Sequence, residues 1–151
     1  MNAIELLKED HEMVLELLDQ IDTVGENESK AVDLFGQLKQ ALSLHTEGEE
    51  KVFYPALSQF EKTKNRVEQA FTDHLEIDEL VADISSLSPR DEEFLDHISE
   101  LRERIENHVG EEEDELFPEA EELLGKSRLE ELGRKIEQFA HRQTAAAHKR
   151  K

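Results

Sequence analysis

His45-Thr46-Glu47-Gly48-Glu49-Glu50-Lys51-Val52-Phe53-Tyr54-Pro55 returns 63 residues later as His108-Val109-Gly110-Glu111-Glu112-Glu113-Asp114-Glu115-Leu116-Phe117-Pro118. A histidine, two adjacent glutamates, an aromatic residue and a proline keep their register. Asp10-His11 stands ahead of the first stretch and Asp73-His74 ahead of the second, each histidine 34 residues before the next. The repeated units therefore run from about residue 10 to 55 and from 73 to 118. What recurs is a pattern of potential ligands as well as a hydrophobic rhythm, and it points to metal chemistry.

Outward from these histidines the apolar residues step by three and four. Ile4, Leu7, His11, Val14, Leu18 and Ile21 form one stripe, and Phe35, Leu38, Leu42, His45, Glu49 and Val52 a second. Val67, Ala70, His74, Ile77, Val81 and Ile84 form a third, and Phe94, Ile98, Leu101, Ile105, His108 and Glu112 a fourth. Such stripes are the inward faces of amphipathic helices in a bundle. Ser88-Pro89-Arg90-Asp91 suggests a cap with proline at the first helical position of the fourth helix. Ser127-Arg128-Leu129-Glu130 suggests a capping box for a fifth. Pro55 and Pro118 are expected to kink or end their helices, because proline lacks a donor and clashes with the preceding turn.

Two points on antiparallel helices share a level when the turn lies halfway between them. The midpoint of His11 and His45 is Glu28, in the polar Gly25–Ser29 stretch; that of His74 and His108 is Asp91, just past Ser85–Pro89. The midpoint of His45 and His74 falls beside the polar run at Glu61–Asn65. The sequence thus predicts an all-α, up-down-up-down four-helix bundle with an additional C-terminal helix. Residues 1–124 make up the bundle, and residues 125–151 the last helix and a basic tail of the same domain. All four histidines fall in one layer.

Glu49 and Glu112 follow their histidines by four residues and so share their faces. The expected metal ligands are His11, His45, Glu49, His74, His108 and Glu112. Imidazole with carboxylate suits iron, manganese or zinc, and two histidine pairs flanking two potentially bridging carboxylates suit two ions. A solvent-derived oxo or hydroxo bridge would complete most of the coordination and leave one position open. Asp78, four residues after His74, is a candidate ligand or hydrogen-bond partner of one. Tyr54 could supply a hydrogen bond or an electron near the site, but its match to Phe117 argues for simple packing. Glu113 and Glu115 read as a solvated acidic face, and His97, His141 and His148 lie off the pattern.

Composition narrows the chemistry. The formal charge is −20, which repels nucleic acid and anionic membranes, so neither is expected as a partner. The basic His148–Lys151 tail is too short to reverse that expectation. With no cysteine, thiolate ligands, disulfides and iron–sulfur clusters are excluded. No spanning segment or signal-peptide pattern is visible, and a cytoplasmic location is expected. Charged residues at 37% against 36% apolar would fit disorder, but the regular stripes select densely charged helices instead.

At the Leu6-Leu7-Lys8-Glu9-Asp10-His11 opening, the two His-x3-Glu-Glu boxes ending in Pro55 and Pro118, and Asp73-His74, the chain resembles the hemerythrin-like, or HHE cation-binding, domain family. The resemblance covers nearly the whole chain. It implies a four-helix bundle holding a non-haem di-iron centre bridged by carboxylates and oxygen. It also implies a role in binding, sensing or reacting with O2, NO or peroxide, or in storing and delivering iron during oxidative or nitrosative stress; enzymatic turnover is left open. A sensing role would require a partner protein. The oxygen-carrying hemerythrins have a further histidine where this chain has Asp78, and an aspartate five residues after the last histidine, where this chain has Glu113. That departure points away from reversible oxygen carriage and toward the iron-handling, sensing and stress-response branches. Ferritin-like bundles need Glu-x-x-His pairs, and no glutamate stands three residues before any histidine here. Metal binding is expected to weaken below about pH 6, as free imidazoles protonate.

Overall fold

The computed structural model describes residues 1–24 and 27–149, with side chains through Thr144. Gly25 and Glu26 of the expected first turn, and the side chains of the basic tail, lie outside the described residues. Helix α1 (Ala3–Val24) opens on a reciprocal cap, Glu5 N–H donating to Asn2 Oδ1 at 2.9 Å and Asn2 N–H to Glu5 Oε1 at 3.4 Å. Helix α2 (Glu28–Gly48) is capped by Asn27, whose side chain accepts from Lys30 N–H at 3.2 Å. After α2 come a π-helical turn (Glu49–Phe53) and a short α3 (Tyr54–Ser58). The second half repeats the scheme with α4 (Glu61–Ser85), α5 (Glu92–Glu111), a second π turn (Glu112–Leu116) and α6 (Phe117–Lys149). Helix α1 packs on α2 and α5, and α4 on α5. The expected helical bundle is what is found.

The two prolines neither end nor break the helices they interrupt. An α-helix would need a proton on the proline nitrogen and would push its ring into the carbonyl four residues back. Widening the preceding turn relieves both problems. Tyr54 N–H bonds to Glu49 O, and Phe117 N–H to Glu112 O, each reaching back five residues instead of four. Each π turn thus begins on a glutamate of the repeated box and ends just before its proline. Such turns often mark functional positions.

Two other local expectations change. Helix α5 begins at Glu92 and not at Pro89, because Ser88 N–H donates to Asp91 Oδ2 at 3.0 Å and Arg90 N–H to Ser88 Oγ at 3.3 Å, closing a turn. The capping box at Ser127 does not form. Gly125 alone breaks α6, with φ 77° and ψ 170°, a conformation open in practice only to glycine.

The core lies in two parts. Leu18, Ile21, Leu38, Ile84, Ile98 and Leu101 fill the end nearer the hairpin turns. Leu7, Phe53, Leu57, Phe117, Leu129 and Leu132 fill the other end, where the part of α6 after Gly125 covers α1 and α2. A fully buried aliphatic side chain of this kind contributes about 1.5–3 kcal/mol. Between the two parts lies a layer containing His11, His45, Glu49, His74, His108 and Glu112, all buried. Among the described residues no helix is long and apolar enough to cross a membrane.

Helix α6 reaches the N-terminus closely enough that a Cβ at Gly133 would lie 2.5 Å from the Met1 carbonyl oxygen. Gly133→Ala should therefore lower stability by about 1–3 kcal/mol by overpacking against backbone, read as a lower denaturant midpoint. An unchanged midpoint would show that α6 does not dock there.

Candidate metal centre

The six predicted ligands converge. Side-chain atoms of His11, His45, Glu49 and Glu112 lie within 4.8 Å of one another, and so do those of Glu49, His74 and His108. Each half of the repeat supplies one histidine pair: the His11 and His45 rings are 4.8 Å apart and the His74 and His108 rings 4.9 Å, both inclined at 69°. His45 Nε2 lies 3.1 Å and His74 Nε2 3.2 Å from Glu49 Oε1. His11 Nε2 lies 3.1 Å and His108 Nε2 3.3 Å from Glu112 Oε1. Each glutamate therefore touches one histidine of each pair. This is the placement a bridging carboxylate requires.

All four imidazoles are held from behind. His45 Nδ1 meets Asp10 at 2.9 Å and, 63 residues on, His108 Nδ1 meets Asp73 at 3.1 Å. His74 Nδ1 meets Glu50 at 2.6 Å and His11 Nδ1 meets Glu113 at 2.8 Å. A carboxylate only accepts, so Nδ1 carries the hydrogen and the Nε2 lone pair faces the centre. Facing lone pairs on nitrogen and carboxylate oxygen repel at such distances. A proton or a cation must lie between them.

Glu49 is fully buried, and both its oxygens, together with His45 Nε2, lack a hydrogen-bond partner. An ionised carboxylate left so costs several kcal/mol. A divalent cation, with oxygen and imidazole donors around it, satisfies all three orphaned atoms at once. The residues fit a metal.

Without metal, protons would have to supply the charge. Burial alone would lower the pKa of His45, but the charge of Glu49 and the hydrogen bond to Asp10 raise it well above the ordinary imidazole value. Burial likewise opposes the shift at His108, yet its bonds to Asp73 and Glu112 push it up to about 10. His74 is raised against burial by Glu49 and Glu50. Burial would raise Glu49, but the charge of a protonated His45 holds it well below the usual carboxylate range.

Some residues fall elsewhere than expected. Asp78 is exposed, belongs to neither cluster, and has its carboxyl pushed up by burial of part of the side chain and by Glu50 and Glu47. Glu113 is half-buried and orients His11 rather than forming part of a solvated face. Tyr54 is buried, with its hydroxyl donating to Glu112 Oε2 at 2.7 Å and lying 3.3 Å from His74 Nε2, the polar role that its match to Phe117 argues against. Asp10, Asp73 and Glu50 were also not singled out as partners of the imidazoles. Their signal was present, since each adjoins a ligand and recurs at the same offset. His97 bonds its own helix at Glu93 O, and His141 is exposed.

Residues 2–120 match the hemerythrin HHE cation binding domain. A solved hemerythrin HHE cation binding domain-containing protein from Mycobacterium kansasii superposes with a TM-score of 0.82 at 27% identity, covering 93% of this chain and 88% of that one. A DNA nickase of Nostoc sp. is 28% identical over 131 residues, 87% of this chain; the chain spans 37% of that protein's length.

The raised histidines set a pH dependence. Their folded pKa values exceed the unfolded value of about 6.5, so the stability they contribute to the metal-free protein is complete below that pH and is lost on rising through the folded values. The metal-free melting temperature should fall between about pH 6.5 and pH 10, the latter being the value at His108. Metal, in displacing those protons, should bind more tightly as pH rises over the same window, well above the pH 6 expected of free imidazoles. Calorimetry across the range checks both; a melting temperature that rises from pH 7 to 10 would contradict the paired-imidazole arrangement.

Proposed function

The chain belongs to the hemerythrin HHE cation-binding domain family, and on that premise we propose that it is a non-haem di-iron protein that binds, senses or reacts with a small diatomic ligand or peroxide. One ion would be held by His11 and His45, the other by His74 and His108, with Glu49 and Glu112 shared between them. The observation that carries this reading is the fully buried Glu49, whose two oxygens and neighbouring His45 Nε2 have no hydrogen-bond partner. A single ion would leave one pair of inward-facing imidazoles unanswered.

Iron bound there would supply electrons and an open coordination position for O2, NO or peroxide. The protein's own contribution is orientation and exclusion. Carboxylates at four Nδ1 atoms fix the imidazoles, the two apolar clusters keep bulk water out, and Tyr54 offers a hydroxyl donor beside Glu112 and His74. Imidazoles braced in this way favour retained metal over a labile store, so delivery of iron is the second reading. The relative's DNA nicking is not extended to this chain, because a formal charge of −20 opposes approach to phosphates.

Metal analysis of iron-loaded protein should find about two ions per chain, and His45→Ala or His108→Ala should lower that content sharply, since losing a ligand or its orientation costs roughly tenfold or more in affinity. Unchanged stoichiometry in both variants would refute the ligand set. Admitting oxygen to the anaerobic iron(II) protein and then purging with argon separates the roles. Irreversible conversion of the optical spectrum is expected, given Asp78 at the position of the carriers' further histidine. A fully reversible spectrum would instead indicate oxygen carriage, and rapid transfer of ferrous iron to an apo-acceptor would favour delivery.

A further inference from the structure

A buried layer that holds metal needs a way in for the ions, and an acidic surface does not by itself supply one. Between α4 and α5 a cavity of about 300 Å³ runs from the surface to two of the inward ligands, His108 and Glu112. Carboxylates line its depth. Glu111 is exposed and the Glu115 side chain is 50% accessible, Asp73 lies deeper at 19%, and Glu112 closes the floor at 2%. A hydrated cation drawn into the mouth meets oxygen donors at each depth, so its water can be exchanged for carboxylate in steps and its charge is never buried unpaired. The floor serves the whole layer, because Glu112 Oε1 lies 3.1 Å from His11 Nε2 and 3.3 Å from His108 Nε2.

The mouth already holds a cation of the protein's own. Arg66 of α4 pairs with Glu115 and, at 2.9 Å, with Glu119, whose second oxygen is buried without a hydrogen-bond partner. Deeper in, Gln69 Nε2 donates to Asp73 Oδ1 at 2.9 Å. Arg66 and Gln69 are both exposed, and surface contacts of this kind are weak and exchange readily. They can occupy the carboxylates and can also leave them. The matching groove between α1 and α2 has no such ladder. By the 63-residue offset, Arg66, Gln69, Glu111 and Glu115 become Ala3, Leu6, Gly48 and Val52, and α6 forms one wall at Ile136 and Ala140.

We propose that the α4–α5 groove is the metal-loading channel of the bundle: divalent cations pass along Glu111, Glu115 and Asp73 to Glu112, and Arg66 is a tethered competitor that sets how readily the mouth accepts them. The proposal rests on the reading that the histidine layer holds metal. A cleft lined by one sign of charge focuses the field and concentrates the opposite ion at its mouth. Removing a carboxylate there should weaken the capture of cations, and removing the guanidinium should strengthen it.

The test is metal uptake by the metal-free full chain, with cobalt(II) as the probe and its visible absorption on binding as the readout. Uptake should slow about threefold in Glu111→Gln and quicken about as much in Arg66→Gln, within the range of steering effects at charged clefts. Glu137→Gln, on the matching groove, and Lys39→Gln, beside Phe35, change the net charge by the same amounts away from the channel. Each should alter the rate by less than about 1.5-fold, since screening confines such effects to about 8 Å at physiological ionic strength. All four variants should fill to the wild-type stoichiometry, because none removes a ligand. The differences should vanish near about 1 M salt, where charges are screened within about 3 Å. Equal rates in Glu111→Gln and Glu137→Gln, no acceleration in Arg66→Gln, or differences that survive high salt would overturn the channel. A wild-type protein that takes up no cobalt would overturn the metal reading itself, a result distinct from uptake at equal rates.

Discussion

Everything in this bundle is arranged around two glutamates that have no business in a dry core unless something positive sits between them. Glu49 and Glu112 are buried among four imidazoles whose Nε2 atoms approach to 3.1–3.3 Å, closer than unprotonated, unmetallated groups would tolerate. The cost of that layer is several kcal/mol for each uncompensated charge. It is bearable because apolar clusters on both sides hold the helices together and because protons or metal complete the layer. The fold supplies rigidity, and the layer consumes some of it.

The repeat explains how so many polar groups are aligned at once. Asp10 braces a histidine of its own repeat, as Asp73 does in the second, whereas Glu50 and Glu113 each brace a histidine of the other repeat. Four such braces tie both halves to a common centre. The π turns fit the same scheme, since each starts at the inward glutamate and absorbs the proline that follows six residues later. Where the halves differ, Tyr54 lies beside His74 and Phe117 beside His11, and α6 covers α1 and α2.

Much of this could be read from the chain. Helical stripes carrying His11, His45, His74 and His108, with turns midway between them, were enough for the bundle and for the common level of the histidines. Glu49 and Glu112 followed from their spacing. What escaped depends on interactions that spacing alone does not encode. Glu113 looked solvated because it sits in the acidic run Glu111–Glu115; only the approach of His11, 102 residues away, gives it a partner. Tyr54 was discounted because its repeat mate is phenylalanine, although that mismatch was the informative signal. Pro55 and Pro118 announced an irregularity, but whether a helix ends, kinks or widens is decided by the packing on either side. Ser88 preferred a local turn with Asp91 to a helix cap, and Gly125 broke α6 where Ser127 offered the better-known motif.

The central claim is that two ions share one pair of glutamates. Anomalous diffraction at the iron edge from crystals of the iron-loaded protein tests it most directly. The account predicts two peaks within the histidine layer, one bounded by His11 and His45, the other by His74 and His108, with Glu49 and Glu112 between them. A single peak, or iron bound outside that layer, would contradict it.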